Sequence, residues 1–314
     1  MRHVLVLAGG LSHERDVSLR SGRRVADALT RSGSETHLRD VDPTLLEAIK
    51  SSRPEVIWPV LHGATGEDGA LRDVLGSLDI AYVGSRPASC RLTWDKPVAK
   101  ELVGAAGIST PAGLALSHAT FRELGAPALL ETVVDSLGLP LAVKPSRGGS
   151  ALGLTIVRSA AELPSAMVTA YAYGEIVLIE RFIEGVEVAL SIVEDEHGQA
   201  QALPAVEIVP DGGVYSYEAR YTAGATEFFT PARLSSSGAD SAADVSLAAY
   251  RTLGHQHLSR VDLIIDADER PWFLEANVSP GMTETSLLPM AVEAAGLDAT
   301  RVYAGIVERA LSTT

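Results

Sequence analysis

The stretch FLEANVSPGMT, Phe273 to Thr283, sets a carboxylate at Glu275 and an amide at Asn277 two residues apart in an apolar run that stops at Pro280-Gly281. Side chains two apart on a strand share a face, so these two point one way while Leu274, Ala276 and Val278 point the other. The segment SRVDLIIDADER just upstream supplies a partner strand. With the polar turn centred between Asp268 and Glu269, Asp262 falls opposite Glu275 and Arg260 opposite Asn277. That register gathers Arg260, Asp262, Glu275 and Asn277 on one face and leaves Ile265, Leu274 and Ala276 on the other. Two carboxylates facing each other across a ladder repel unless something compensates. A hard divalent cation would, since magnesium takes one or two carboxylates plus further oxygen ligands. A solvent-facing hairpin with an acidic face is the plainer alternative. The Asn-Val-Ser-Pro-Gly-Met-Thr turn favours the metal, because such a turn exposes backbone N–H groups to an anion.

A second set could hold a nucleotide. In VKPSRGGSALG, Val143 to Gly153, Lys144 ends an apolar strand and a Gly-rich loop follows, able to close over phosphates through its amides. It is not a P-loop, because no G-K-[ST] helix follows. Alone it is weak evidence, since most such hairpins are simply tight turns. Lys96 in TWDK and the acids Glu180 and Glu187, which interrupt the apolar runs of LIERFIEGVEVAL, extend it towards a phosphate, adenine and ribose site. Plain salt bridges are the competing reading for the two acids. A third set lies in HERDVSLRSG, LHGATGEDG and YSYEARY. Glu14 and His62 each sit in a loop directly after a strand, and Arg220 and Tyr221 lie in a turn-like segment. A helix first-turn acid, a loop histidine and a surface aromatic cluster are the ordinary readings of these three.

The elements that must position these groups alternate. HVLVLAGG reads as a strand ending in glycines, DVSLRSGRRVADALTRSG as a helix stopping at Gly33, EVIWPVLHG as a strand, EDGALRDVLGSLD as a helix and AYVGS as a short strand. Strand–helix alternation indicates a parallel sheet covered by helices, with ligands at the carboxyl ends of the strands. A domain boundary is expected just before TWDKPVAKELVGAAGISTPAG, which reads as one helix and a linker. Two strands joined by the Gly-rich loop follow, then EIVLIERFI and VEVALSIVED as strands. SSSGADSAAD is expected as a surface loop leading into a long helix that ends near His257, with the hairpin running from Val261 to Asn277.

The totals bound the class. At 314 residues the chain is long for one core, so two or three domains are expected. A net charge of −14 argues against nucleic acid and anionic membrane as partners. Cys90 is the only cysteine, which excludes an intramolecular disulfide framework and a thiolate zinc cluster. No apolar run approaches the roughly 20 residues of a membrane span, and MRHVLVLAGG reads as a first strand rather than a secretion signal. A soluble, cytoplasmic protein is the expectation.

Taken in order, ERDVSLRSG, LHGATGEDG, YVGS, DK, VKPSRGGSALG, IERF, GVEVAL, YEARYTAGATEFFTPA and RVDLIIDADERPWFLEANVSPGMTETSLLPMA resemble the D-alanine–D-alanine ligases of the ATP-grasp superfamily over nearly the whole chain. The resemblance implies an N-terminal parallel-sheet α/β domain (residues 1–94) followed by a two-domain α+β ATP-grasp unit (95–184 and 185–314). It implies ATP and two magnesium ions, manganese being an alternative, and a homodimer. Two D-alanines would be joined through an acyl phosphate to make a peptidoglycan precursor. Lys96 and Lys144 would contact phosphates, Glu180 and Glu187 adenine and ribose, and Asp262, Glu275 and Asn277 the metals. Glu14, supported by Ser150 and Tyr221 with His62 nearby, would take the first D-alanine's ammonium. Arg260 and the Gly281 amide would face the oxyanion, and Ser286 and Leu287 the second substrate's carboxylate. The sequence departs from the family's usual residues at Arg220 (usually lysine), Ala151 (serine), Arg72 and Asp73 (glutamine and glycine) and Trp94 (methionine). These departures leave a second expectation open: the same chemistry on another pair, such as D-Ala–D-Ser or a secondary-metabolite dipeptide. The segment from Tyr215 to Ala232 is expected to act as a lid.

Overall fold

The computed structural model describes residues 1–313, which form three sheets. The first is parallel, in the order β2 (Glu35–Arg39), β1 (His3–Leu7), β3 (Val56–Pro59), β4 (Ala81–Tyr82). The inner strands β1 and β3 are apolar on both faces because both are covered, whereas the edge strand β2 is polar and largely exposed. Val4 and Val6 of β1 join Val25, Ala28 and Leu29 of the helix Arg15–Arg31, together with Tyr303 and Ile306 of the C-terminal helix Ala299–Ser312. Leu5 and Leu7 face the opposite core with Leu45, Ile49 and Leu75. The helix Arg15–Arg31 lies so close to β1 that a Cβ at Gly22 would come within 2.4 Å of the Ala8 Cβ. Only glycine permits that approach.

The second sheet is antiparallel, in the order β5 (Gly113–Ser117), β8 (Ile176–Arg181), β6 (Leu141–Pro145), β7 (Thr155–Val157). The helices Ala126–Leu137 and Leu163–Tyr171 cover one face through Leu130, Val133, Leu163, Met167 and Ala170. The third sheet runs β12 (Thr226–Phe229), β11 (Val206–Pro210), β9 (Val186–Glu194), β13 (Leu258–Ile265), β14 (Pro271–Asn277), with β10 (Ala200–Ala202) also on β9. Its core face packs on the helix Ser236–Thr252 through Val261, Leu263, Ile265, Phe273, Ala242 and Ala249.

Four expectations about elements need correction. The polar stretch SSSGADSAAD is mostly the start of the helix Ser236–Thr252, not a loop. The Ser235 hydroxyl caps it by accepting from the Gly238 N–H at 3.1 Å, and the small residues Gly238 and Ala242 are buried against the sheet. Polarity concealed a face made only of small residues. The same helix ends at Thr252, five residues short of His257. The segment from TWDK onward is two helices, Pro87–Trp94 and Lys96–Ala105, broken at the extended residue Asp95. The Asp95 carboxylate accepts from the Val98 N–H and from Arg147 Nε, so the break fixes where Lys96 begins.

The fourth correction concerns the hairpin. Asp262 does pair with Glu275 and Arg260 with Asn277, but a bulge follows, and Leu263 pairs with Phe273. The strands therefore close on a turn centred at Asp268, half a residue from the expected centre. The extra residue is Leu274, which lines the same cavity as Asp262, Ile264 and Glu275 instead of joining the apolar face.

Candidate active site

Two cavities of about 550 and 520 Å³ adjoin each other. They share a wall made by Lys96, Gly148, Gly149, Tyr215, Arg220 and Glu275. Lys144, Glu180, Glu187 and Asp262 line the second cavity; Glu14, His62, Ser150, Tyr221, Arg260, Asn277, Gly281, Ser286 and Leu287 line the first. The structure thus brings every site residue singled out in the sequence to one of two connected spaces, with Lys96, Arg220 and Glu275 at the junction.

The second cavity is built largely on strands, and Glu180, Asp262 and Glu275 among its carboxylates lie beside cationic partners. Glu180, 2% exposed, lies between Lys100 Nζ at 2.7 Å and Lys144 Nζ at 2.5 Å. Burial works against its charge, yet the two ammonium groups hold the carboxyl below its ordinary value. Lys100 is pushed down to about 8 by burial, against the pull of Glu180. Lys96 Nζ donates to the Gly148 carbonyl at 2.6 Å and stands 3.3 Å from Glu275 Oε2, joining the Gly-rich loop to the hairpin. Burial pushes Glu275 up, but Lys96, Lys144, Arg220 and Arg260 together bring it down to about 2. Arg260 donates from Nε and Nη2 to both oxygens of Asp262, at 2.7 and 2.8 Å. Glu187, paired across the ladder with Ile264, is pushed up to about 7 by burial, with Arg220 opposing and Asp262 and Glu275 reinforcing.

The first cavity is assembled from loops and helix ends. Glu14 precedes the helix Arg15–Arg31, Ser150 lies in the loop between β6 and β7, and Tyr221 ends the short helix Tyr217–Tyr221. Ser150 Oγ donates to Glu14 Oε1 at 2.5 Å and lies 2.7 Å from the Tyr221 hydroxyl, which is 3.4 Å from the same carboxylate oxygen. Ser150 holds φ +55°, a left-handed conformation that costs energy for a non-glycine residue and aims its hydroxyl at Glu14. Burial raises the Tyr221 phenol. His62 is buried and its Nε2 has no hydrogen-bond partner; burial lowers its pKa while Glu14 opposes. Asn277 Oδ1 accepts from the Ser279 N–H at 2.7 Å, which shapes the turn leading to Gly281. A Cβ at Gly281 would come within 2.7 Å of Ser286 Oγ, so the backbone there stays bare. Ser286 precedes the helix Leu287–Ala294, whose first amides make an anion-favouring end.

Three residues of the site escaped the sequence reading. Glu67, 7% exposed, lines the first cavity and accepts from the Gly63 N–H at 2.8 Å. Burial pushes its carboxyl up to about 8, with Glu14 adding and Gly63, Lys96 and Arg260 opposing. Its signal was its place in LHGATGEDG, five residues after His62. Lys100 could have been found by its i,i+4 spacing from Lys96 on one helix. Arg20, on the rim of the first cavity, follows Glu14 and Val17 at three-residue spacing.

The departures fall around this geometry. The Arg220 guanidinium stacks over the Tyr215 ring at 4.0 Å, at the junction. Trp94 lines the first cavity and Ala151 the second. Arg72 is buried behind the 62–69 loop, donating to the Gly66 carbonyl, and Asp73 pairs with Arg91 at 2.6 Å.

Two antiparallel sheets around a cleft, with Lys144 on the strand that leads into a Gly-rich loop, define the ATP-grasp ligase class. The family profile described as D-ala D-ala ligase C-terminus matches residues 102–308. A D-alanine–D-alanine ligase from Bordetella petrii is 41% identical over 305 residues, covering 97% of this chain and 91% of its own length. The crystal structure of D-alanine–D-alanine ligase from Bacillus anthracis complexed with ATP is 30% identical with a TM-score of 0.83, over 100% of this chain and 98% of that one. VanG, the D-Ala:D-Ser ligase from Enterococcus faecalis, gives a TM-score of 0.85 at 25% identity, over 98% and 99% of the two chains. The chain belongs to the D-alanine–D-alanine ligase family.

Proposed function

We propose that this protein joins two D-alanines to D-alanyl-D-alanine at the expense of ATP, supplying a peptidoglycan precursor. The observation that carries the reading is the shared wall: a cavity of nucleotide size meets a polar cavity at Lys96, Arg220 and Glu275, where a phosphoryl group would pass between them. A carboxylate is a poor electrophile, so the first D-alanine's carboxylate oxygen takes the γ-phosphoryl of ATP, releasing ADP. The amine of the second D-alanine, having lost a proton, attacks the acyl carbon, and inorganic phosphate leaves.

Each side chain has a part in this scheme. Lys96 and Lys144 neutralise phosphate charge, and Arg220 faces the transferring group. Glu180 and Glu187 accept from adenine and ribose. Glu14, held by Ser150 and Tyr221, takes the first substrate's ammonium with His62 alongside. Arg260 and the Gly281 N–H face the oxyanion of the tetrahedral intermediate. Ser286 and the Leu287 amide receive the second substrate's carboxylate.

The donor set fits a hard dication: two buried or half-buried carboxylates opposite one another on a ladder and an amide oxygen two residues along. Asp262, Glu275 and Asn277 would hold magnesium, two ions in this reading, with manganese able to substitute. The metal supplies charge neutralisation at the transferring phosphoryl. The three sheets support a division into residues 1–94, 95–184 and 185–314. A cytoplasmic homodimer is the accompanying reading and rests on the family.

Phosphate release with ATP and magnesium, with mass spectrometry of the product, tests the proposal. D-alanine alone should give D-alanyl-D-alanine. Turnover with D-alanine plus D-serine but none with D-alanine alone would overturn the substrate assignment and direct attention to Arg220, Ala151 and Arg72.

A further inference from the structure

The amino ends of β1 and β2 carry a cluster that the ligase reaction does not use. In the parallel register His3 lies beside Glu35 and Leu5 beside His37, so His3, Glu35 and His37 share one face of the sheet. One ligand atom from each lies within 4.8 Å of the other two. The rings of His3 and His37 meet edge to face at 5.4 Å, and His37 Nε2 is 3.4 Å from Glu35 Oε1. His37 and Glu35 are more than half exposed, so both side chains can adjust and solvent can complete a coordination sphere.

We propose that His3, Glu35 and His37 form a surface site for a zinc-class divalent cation, with water as the fourth ligand. Two imidazoles and one carboxylate match the preferences of zinc, cobalt, nickel and copper, and not the all-oxygen preference of magnesium or calcium. Ligand atoms around a tetrahedral zinc stand about 3.3 Å apart. Side-chain movement of about 1.5 Å or less therefore closes the set. The site lies at the far end of the sheet from the reaction: the loop Gly9–Gly10, which leads to Glu14, leaves β1 at its carboxyl end, and a five-residue strand spans roughly 17 Å. Strand β2 is the sheet's edge, paired only with β1. A cation bridging His3 to Glu35 and His37 would staple that edge in place, and by binding the folded chain would stabilise it.

The test is a titration of the untagged, full-length protein with cobalt(II) in excess magnesium, which occupies oxygen-donor sites such as the Asp262–Glu275 hairpin. The expected result is one cobalt per chain, with the visible absorption of a four- or five-coordinate ion bearing nitrogen ligands, displaced by zinc. His37→Gln and His3→Gln should remove that absorption, and Glu35→Gln should weaken binding at least about tenfold. Zinc should raise the melting temperature of the parent and not of His37→Gln. Ligase turnover should be unchanged in all three variants. Cobalt absorption that persists in His37→Gln, or only the faint bands of a six-coordinate aqua ion in the parent, would overturn the proposal. Neither result depends on which amino acids the enzyme joins.

Discussion

The second cavity is lined by more charged groups than the first, and the two differ in how those groups are held. Around the second cavity Lys144, Glu180, Asp262 and Glu275 stand on strands and Lys96 on a helix, and the carboxylates among them answer immediate cationic neighbours, as Glu180 does Lys100 and Lys144. Around the first, Glu14, Ser150, Tyr221 and Ser286 come from four segments far apart in sequence and meet at loops and helix ends. A ladder fixes a strand-borne group through backbone hydrogen bonds that do not depend on the group itself. A loop-borne group is fixed partly by the contact it makes. Changes in the second cavity should therefore act on chemistry and stability directly, and changes in the first on assembly of the substrate site.

The largest effect is expected at the junction. Glu275→Gln keeps the size of the side chain but removes the charge that answers Lys96 and would bind metal. A fall in kcat of about a thousandfold is expected, corresponding to about 4 kcal/mol. Phosphate release across a magnesium series checks it. Near-normal turnover would show that the hairpin is not the metal site.

Next comes Lys100→Met, which leaves Glu180 buried with a single ammonium partner. Removing one side of a buried charge pair leaves desolvation uncompensated, and a loss of about 3 kcal/mol of stability is expected. The urea midpoint reports it directly. An unchanged midpoint would mean that Lys144 alone satisfies Glu180, and the strand-borne set would be less tightly coupled than its distances indicate.

A smaller effect is expected in the loop-built triad. Tyr221→Phe deletes one hydroxyl while Ser150 keeps its hydrogen bond to Glu14. The KM for the first D-alanine should rise about tenfold, a cost of about 1.4 kcal/mol, with ATP affinity unchanged. An equal loss of ATP affinity would remove the contrast between the two cavities at this point.

The same contrast governs what the sequence disclosed. Alternation along the hairpin was enough to set Asp262 opposite Glu275, because a ladder has period two. The bulge that turns Leu274 into the cavity was not legible, since nothing in PWFLEAN marks where a pair slips by one. The parallel sheet was readable from HVLVLAGG and EVIWPVLHG, whose residues are buried on both faces. The first turns of the helix beginning at Ser236 were read as a loop because their buried residues, Gly238 and Ala242, carry no apolar period. Glu14, Ser150 and Tyr221 could be linked only through resemblance, as no local pattern says that loops so far apart in sequence will meet. Glu67 escaped for a related reason: its burial comes from tertiary packing around a short helical turn.

That residue gives the most specific prediction. Burial pushes the Glu67 carboxyl from 4.5 up to about 8, against Gly63, Lys96 and Arg260 and with the help of Glu14. The folded state thus binds a proton that the unfolded chain releases, and between these values stability falls as pH rises. The contribution is fully present below about pH 4.5 and is lost as pH passes through about 8. Glu67→Gln keeps a neutral group of the same shape and does not titrate. The stability of the parent relative to this variant should therefore decline steadily between about pH 4.5 and 8 and level off above, measured by urea unfolding at a series of pH values. A difference that stays flat across this range would mean that Glu67 is charged throughout and paired with Lys96 or Arg260. Its place would then be with the compensated charges of the second cavity, and the boundary between the two regions would have to be redrawn through the 62–69 loop.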